Sequence, residues 1–195
     1  MPDPTVVLDR DDMRRTLVRI AHEIVEKNPP PESGIEPGFA LVGVHRRGAV
    51  LASRLHALLS ELTDAEIPQG TVDISFYRDD LGIRETGPGA TPVVHSTQLE
   101  FSVDNRTIVI VDDVLYTGRT VRAAIDVLFD YGRPARVQLA VLADRGHREL
   151  PIRPDYVGKN LPTARDQRVN VHVQEVDGVD EVIVGPRDPS HKGKK

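Results

Sequence analysis

The sequence predicts an α/β protein in which a mostly parallel central sheet is flanked by helices. Two continuous apolar runs, Phe39-Ala40-Leu41-Val42-Gly43-Val44 and Ile108-Val109-Ile110-Val111, read as strands covered on both faces. Each is followed after a short polar loop by apolar residues at helical spacing, the strand-then-helix order of a parallel sheet. A third strand, Arg136 to Ala143, follows the second of these helices.

Taken in order, Asp9 reads as an N-cap, and Met13, Leu17, Ile20, Ile24 and Val25 recur at helical spacing until Asn28 and three prolines end the helix. The outward face of that helix carries Arg14, Arg15, Arg19 and His22. A Pro/Gly-rich connector, 29–38, precedes the first apolar strand. His45-Arg46-Arg47-Gly48 then leads into a helix marked by Val50, Leu51, Leu55, Leu58 and Leu59. Thr71 to Tyr77 is predicted as a strand, and the region around 77 to 96, with Gly82, Gly87, Pro88, Gly89 and Pro92, carries no regular period and reads as a functional or disordered loop. The strand at 108–111 is followed by a helix from near Val121 to Tyr131, ended by Gly132 and Pro134.

Composition sets the outer limits. At 195 residues the chain can bury a sizeable core as one domain of ordinary size or a domain with an appendage. The absence of cysteine excludes disulfides and thiolate zinc sites. With no long apolar segment and no basic-then-apolar leader, the expectation is a soluble cytoplasmic protein with no membrane partner. The formal charge of −5 does not advertise nucleic-acid binding, so any such function has to use a local patch.

The chemistry concentrates in Thr107 to Thr120, TIVIVDDVLYTGRT. Asp112 and Asp113 fall at the carboxyl end of a strand, where open α/β sheets bind ligands. Thr117 and Thr120 supply hydroxyls, Gly118 permits a backbone conformation closed to other residues, and the following helix presents unpaired N–H groups to an anion. Such a loop suits a phosphate monoester. Two carboxylates do not belong on that phosphate, but they accept hydrogen bonds from ribose hydroxyls and stabilise positive charge developing at a sugar carbon. Metal-dependent phosphoryl-transfer proteins also carry Asp-Asp after an apolar strand, but lack the hydroxyl-glycine loop that follows here. Gly43 and Gly48 have the glycine spacing of a nucleotide P-loop, yet Ala49 and Val50 stand where that motif needs Lys and Ser/Thr, so an ATPase reading fails.

This stretch resembles the phosphoribosyl-diphosphate (PRPP) signature of the type I phosphoribosyltransferases. The resemblance implies that fold, with a small hood and a flexible lid loop. It casts Asp112 and Asp113 on the ribose hydroxyls and Thr117, Gly118, Arg119 and Thr120 on the 5′-phosphate. His45, Arg46, Arg47 and Gly48 correspond to the family's pyrophosphate loop, with Arg47 the best single contact because a guanidinium donates two parallel bonds to phosphate oxygens. The family's mobile lid maps to about 77–96, with Arg78 as a further pyrophosphate contact. Asp112, Asp113 and Arg47 are thereby the expected catalytic residues, and Mg²⁺ the expected cofactor, bound through PRPP and through Asp112 and Asp113.

Longer strings narrow the resemblance to one branch, the pyrimidine-operon attenuation regulators that also have uracil phosphoribosyltransferase activity. They are RIAHE at Arg19 to Glu23, YRDDL at Tyr77 to Leu81, VDDVLYTGRTVRA at Val111 to Ala123 and DRGHRELPIRPDYVGKN at Asp144 to Asn160. The likeness runs from about Val7 to Val184 and implies a single domain over 1–185. Within it the hood spans about 145–184, and 186–195 is left as a basic, disordered tail. By this resemblance Val157, Gly158 and Lys159 supply the uracil and UMP pocket, bordered by Asp144 and Arg145. It also implies binding to a stem-loop in pyrimidine-gene mRNA, strengthened by UMP, through Arg19, His147, Arg148, Arg153, Lys159 and Thr163. Between Arg133 and Arg168 eight Lys or Arg stand against four Asp or Glu, a local net of +4 in an acidic chain. Val18 departs from the branch, where a threonine able to hydrogen-bond RNA is common. A homodimer or higher homo-oligomer is expected on the same ground. Two alternatives stay open: a mainly regulatory, UMP-responsive RNA-binding protein with little enzymatic flux, or a phosphoribosyltransferase for another base.

Overall fold

The computed structural model of the chain describes residues 4–29, 38–75, 77 and 96–186. The expected lid with Arg78, most of the Pro/Gly-rich connector and the basic tail after Pro186 lie outside the described residues. The elements in chain order are β1 (Thr5–Leu8), α1 (Arg10–Lys27), β2 (Phe39–Val44), α2 (Arg47–Thr63), β3 (Gln69–Val72), β4 (Thr107–Leu115), α3 (Arg119–Tyr131), β5 (Arg136–Asp144), β6 (Tyr156–Asn160), β7 (Gln167–His172), α4 (Gln174–Asp177) and β8 (Glu181–Pro186).

Five strands form a parallel sheet in the order β3-β2-β4-β5-β6. Successive side chains of a strand point to opposite faces, and β4 follows this closely. Val109 and Val111 join a core with Met13, Leu17, Ile20, Leu51 and Leu55 of α1 and α2. Ile108 and Ile110 join the opposite core with Val121, Ala124 and Leu128 of α3. This two-sided burial is why both central strands read as continuous apolar runs. The chain leaves β2 toward β3 on one side and leaves β4 toward β5 on the other. The carboxyl ends of the neighbouring β2 and β4 therefore flank a topological switch point, the crevice where sheets of this kind bind ligands.

α1 begins where its sequence says. Asp9 accepts from Asp12 N at 2.8 Å while Asp12 accepts from Asp9 N at 3.3 Å, a reciprocal cap. Other boundaries move. The strand expected at 71–77 is β3 at 69–72, because Asp73 Oδ1 accepts from Ser75 N at 2.8 Å and from Ser75 Oγ at 2.5 Å, a local turn that competes with the ladder. β4 continues through Asp112 and Asp113 to Leu115, since β5 is long enough to pair with it as far as Leu115↔Asp144.

The small second sheet is β1-β8-β7, antiparallel throughout. It takes a strand from the N-terminus that the expected hood range of 145–184 does not include. Tyr156–Asn160, within that range, instead pairs with β5 as the edge of the main sheet. The register Val141↔Val157 places β6 under α1.

Candidate functional site

The site is built where β2 and β4 end side by side, with Gly43 opposite Val111. The turn after β2 comes close to β4: a Cβ on Gly48 would stand 2.5 Å from Val111 O and 3.1 Å from Asp112 Cα. Glycine at 48 is thus what lets the 45–48 loop reach the acidic pair. His45 Nε2 hydrogen-bonds Thr71 Oγ1 at 3.2 Å, the His45–Arg46 peptide is cis, and Arg46 is exposed.

Asp112 is 6% exposed and accepts from Asp113 N at 2.9 Å, while Asp113 accepts from Val114 N at 2.8 Å. Burial pushes the Asp113 carboxyl above the ordinary carboxylate range, against the opposing pull of the Val114 N–H, the Arg47 charge and Asp112. A carboxylate so placed gains from any hydroxyl or cation that enters beside it.

The loop after β4 is tied down from outside. Thr117 O accepts from Glu149 N at 3.0 Å and Leu150 N at 3.1 Å. Gly118, at φ 92°, occupies the left-handed conformation that favours glycine, and α3 opens at Arg119, so Thr120 lies in its first turn. Arg119 Nε donates to Glu149 Oε2 at 2.7 Å, which directs its side chain along the surface. What this loop offers an anion is therefore two hydroxyls and the first amides of a helix.

Arg47, the first residue of α2, donates from Nε to Asp177 Oδ2 at 2.9 Å and from Nη2 to Asp177 Oδ1 at 2.6 Å. That bidentate contact holds the Asp177 carboxyl down at about 2. Arg47, Asp112, Asp113 and the loop 117–120 line one cavity of about 460 Å³. Its far wall is β7, whose residues from Gln167 to His172 line the cavity, with Val169 and Val171 also buried in the core. Sequence reasoning missed Asp177 and this strip. Only the alternation of polar and valine residues at 168–172 signalled the latter.

The residues expected around uracil are divided. Arg145 is 7% exposed and donates to Thr163 Oγ1 at 3.2 Å, Ala164 O at 3.4 Å and Gln167 O at 2.8 Å, with its guanidinium over the Tyr116 ring at 4.1 Å. It lines the first cavity and also a second, of about 720 Å³, that Asp144 and Val157 help to line. Asp144 is paired with Arg148 at 2.5 Å. The carbonyls of Val157 and Gly158 accept from Arg19 Nη2 at 2.9 and 2.6 Å, and Lys159 Nζ donates to Val7 O at 2.9 Å, so Gly158 and Lys159 line neither of these two cavities.

The residues expected at RNA surround the second cavity. His147, at φ 60°, hydrogen-bonds Thr163 O through Nε2 at 2.6 Å. Arg148 donates to Ile152 O at 3.0 Å and Tyr116 O at 2.9 Å. Arg153 stands exposed on the rim. Arg19 and Lys159 join this region through β6. Among the described residues no group of three or more His, Cys, Asp or Glu forms an all-protein metal site, and no helix is long and apolar enough to cross a membrane.

Comparison with known proteins gives concordant findings. The phosphoribosyl transferase domain model matches residues 9–176. A bifunctional protein PyrR of Roseiflexus sp. (strain RS-1) is 58% identical over 179 residues, 91% of this chain and 93% of that protein. Those of Deinococcus radiodurans and Thermus thermophilus are 54% and 53% identical, each over 93% of this chain, and over 95% and 96% of their own lengths. Among solved structures, a hypoxanthine phosphoribosyltransferase of Trypanosoma cruzi aligns with a TM-score of 0.66 at 17% identity, over 94% of this chain and 97% of that one. One from Staphylococcus aureus aligns with a TM-score of 0.64 at 19% identity, over 95% and 93%. These structural likenesses speak to the fold.

Proposed function

The chain belongs to the phosphoribosyl transferase domain family and, within it, to the bifunctional PyrR proteins, and on that premise we propose that it transfers the phosphoribosyl group of PRPP to N1 of uracil. The glycosidic C1′–N1 bond forms as the C1′–O bond to diphosphate breaks, giving UMP and diphosphate with loss of the N1 proton. The observation that carries this is the convergence of the acidic pair, the 117–120 loop and Arg47 on one cavity at the switch point.

In this reading the 117–120 amides and hydroxyls bind the 5′-phosphate, and Asp112 and Asp113 hold the ribose hydroxyls and face the charge that develops at C1′ as diphosphate leaves. His45, Arg46, Arg47 and Gly48 form the diphosphate end, to which the resemblance adds Arg78, outside the described residues. The base extends toward Arg145, which lines this cavity, and beyond it toward Asp144 and Val157, whereas Gly158 and Lys159 line neither cavity. The residues present also fit Mg²⁺, an ion commonly held by one or two carboxylates together with substrate phosphates. Asp112 and Asp113 would hold it, and when bound it neutralises charge on the phosphate oxygens. The test is Mg²⁺-dependent nucleotide formation from PRPP with uracil, guanine, hypoxanthine and orotate offered separately. Product from uracil alone is expected, and product from a purine base would replace this reading with one for another base.

The second activity we propose is uridine-nucleotide-dependent binding of a pyrimidine-gene mRNA stem-loop, in the cytoplasm and as a homodimer or higher homo-oligomer. It is supported by the basic residues around the second cavity and by Arg145, which lines both cavities. A gel-shift titration with a leader hairpin, with and without UMP, tests it. UMP-independent binding that fades uniformly with salt would indicate nonspecific attraction only. Strong UMP-dependent binding with no turnover would make regulation the chief role.

A further inference from the structure

Arg47 carries five N–H donors in a planar fork. Its contact with Asp177 is side-on and uses Nε and one hydrogen of Nη2. The Nη1/Nη2 edge lies on another side of the same plane. Among the described residues it has no hydrogen-bond partner, and the residue lines the cavity beside Asp112 and Asp113 and feels the Asp113 charge. One guanidinium is therefore able to keep a carboxylate on one edge and take a diphosphate on the other.

Asp177 is itself fixed. Its Oδ2 accepts from Val173 N at 2.9 Å, and its N–H donates to Val173 O at 2.7 Å, closing the single turn of α4. That turn is clamped a second time on α2. Arg54 donates from Nε to Glu175 Oε1 at 3.0 Å, and from Nη2 to Glu175 Oε2 at 2.5 Å and Asp180 Oδ1 at 2.7 Å. Arg47 and Arg54 are seven residues apart and so share one helix face. Only the first of them reaches the cavity. Asp177 stays ionised through the range in which an enzyme of this kind is assayed.

We propose that Asp177 of the small sheet's connecting turn is a positioning residue for Arg47, holding the side edge of its guanidinium so that the end edge faces the diphosphate of PRPP. This rests on the reading of the cavity as a PRPP site. It also makes a bond across the two sheets part of the diphosphate site, since the small sheet has to be seated for Arg47 to be aimed. The opposite reading treats the ion pair as a latch that PRPP must break. The side-on geometry makes such a break unnecessary, because both anions fit around one fork.

Calorimetric titration with PRPP and, separately, with UMP, both in Mg²⁺, tests this without relying on turnover. UMP shares the ribose and 5′-phosphate but has no diphosphate at C1′. The isosteric D177N and the truncated D177A are compared with R54A, which loosens the same turn without touching Arg47, and a thermal melt reports that each is folded. D177N and D177A are expected to weaken PRPP by about tenfold, the loss of one well-aimed charge-assisted contact, and to leave UMP within about twofold. R54A, which leaves the Arg47–Asp177 contact in place but loosens the turn that carries it, is expected to weaken PRPP by less than D177N does and to leave UMP within about twofold. Unchanged PRPP affinity in D177N and D177A would overturn the proposal. Tighter PRPP binding would overturn it in favour of the latch, and equal losses for UMP or in R54A would reduce Asp177 to a structural tie. A wild-type protein that binds UMP but not PRPP would instead refute the PRPP reading, and this inference with it.

Discussion

Gly48→Ala tests the switch-point geometry most directly. The added Cβ would lie 2.5 Å from Val111 O, 3.1 Å from Asp112 Cα and 3.4 Å from Asp112 Oδ1. Contacts under 3.0 Å are essentially never seen for a real Cβ, so the α2 entry and β4 must separate by at least about 0.5 Å. Neither side yields easily. Val111 is paired with Gly43 in the middle of the sheet, and a Cβ on Gly43 would in turn meet Ala49 Cα at 2.5 Å. Overpacking of this kind costs about 1–3 kcal/mol, which in a domain of this size lowers Tm by about 2–4 °C per kcal/mol. The larger effect should be catalytic, because Asp112 and Arg47 lie on the two sides being separated, and a displacement of about 1 Å can cost on the order of a hundredfold in rate. The assay pairs a thermal melt with UMP formation from PRPP and uracil. A G48A protein melting within about 1 °C of wild type and turning over within about twofold would show that the close approach does not set the site.

Asp113→Asn should lower turnover by about a hundredfold while raising Tm measured without Mg²⁺, since it keeps an acceptor for Val114 N and removes a charge that burial disfavours; a lower Tm would count against burial as the cause. For Asp177 the folded pKa is depressed, so its contribution to stability is complete above its ordinary value of 3.8 and is lost as pH falls toward about 2. The Tm gap between wild type and D177N should therefore shrink as pH is lowered from 5 to 3, and a gap that widens would refute the sign. Arg145→Ala should destabilise the fold by about 1–3 kcal/mol, because it removes a buried guanidinium that donates to Thr163 Oγ1, Ala164 O and Gln167 O; circular dichroism melts would report it. Exposed Arg153→Ala should leave Tm unchanged while reducing the salt slope of RNA binding by about one, as read by gel shift at several salt concentrations.

Much of the site is local in the chain, and that part is legible in the amino-acid order. Ile108–Val111, Asp112, Asp113 and the loop 117–120 sit within about a dozen residues, so one strand and the start of one helix bring them together, and their spacing already states the chemistry. The same holds for the 45–48 turn, whose glycine is demanded by a neighbour only one strand away. Continuous apolar runs announce two-sided burial because each face of the strand has its own core.

What the sequence could not state is which residues meet across the fold. Arg47 and Asp177 are 130 positions apart, and nothing in either neighbourhood names the other. Their meeting depends on β7 and β8 being completed by β1 and on α4 landing on α2. Arg145 and Arg148 likewise read as ligand contacts, for uracil and for RNA, yet in the fold each donates to several carbonyls of the scaffold. Periodicity reports which face of an element is apolar and spacing reports local chemistry. The pairing of charges depends on strand order and register, which are settled only when the whole chain has packed.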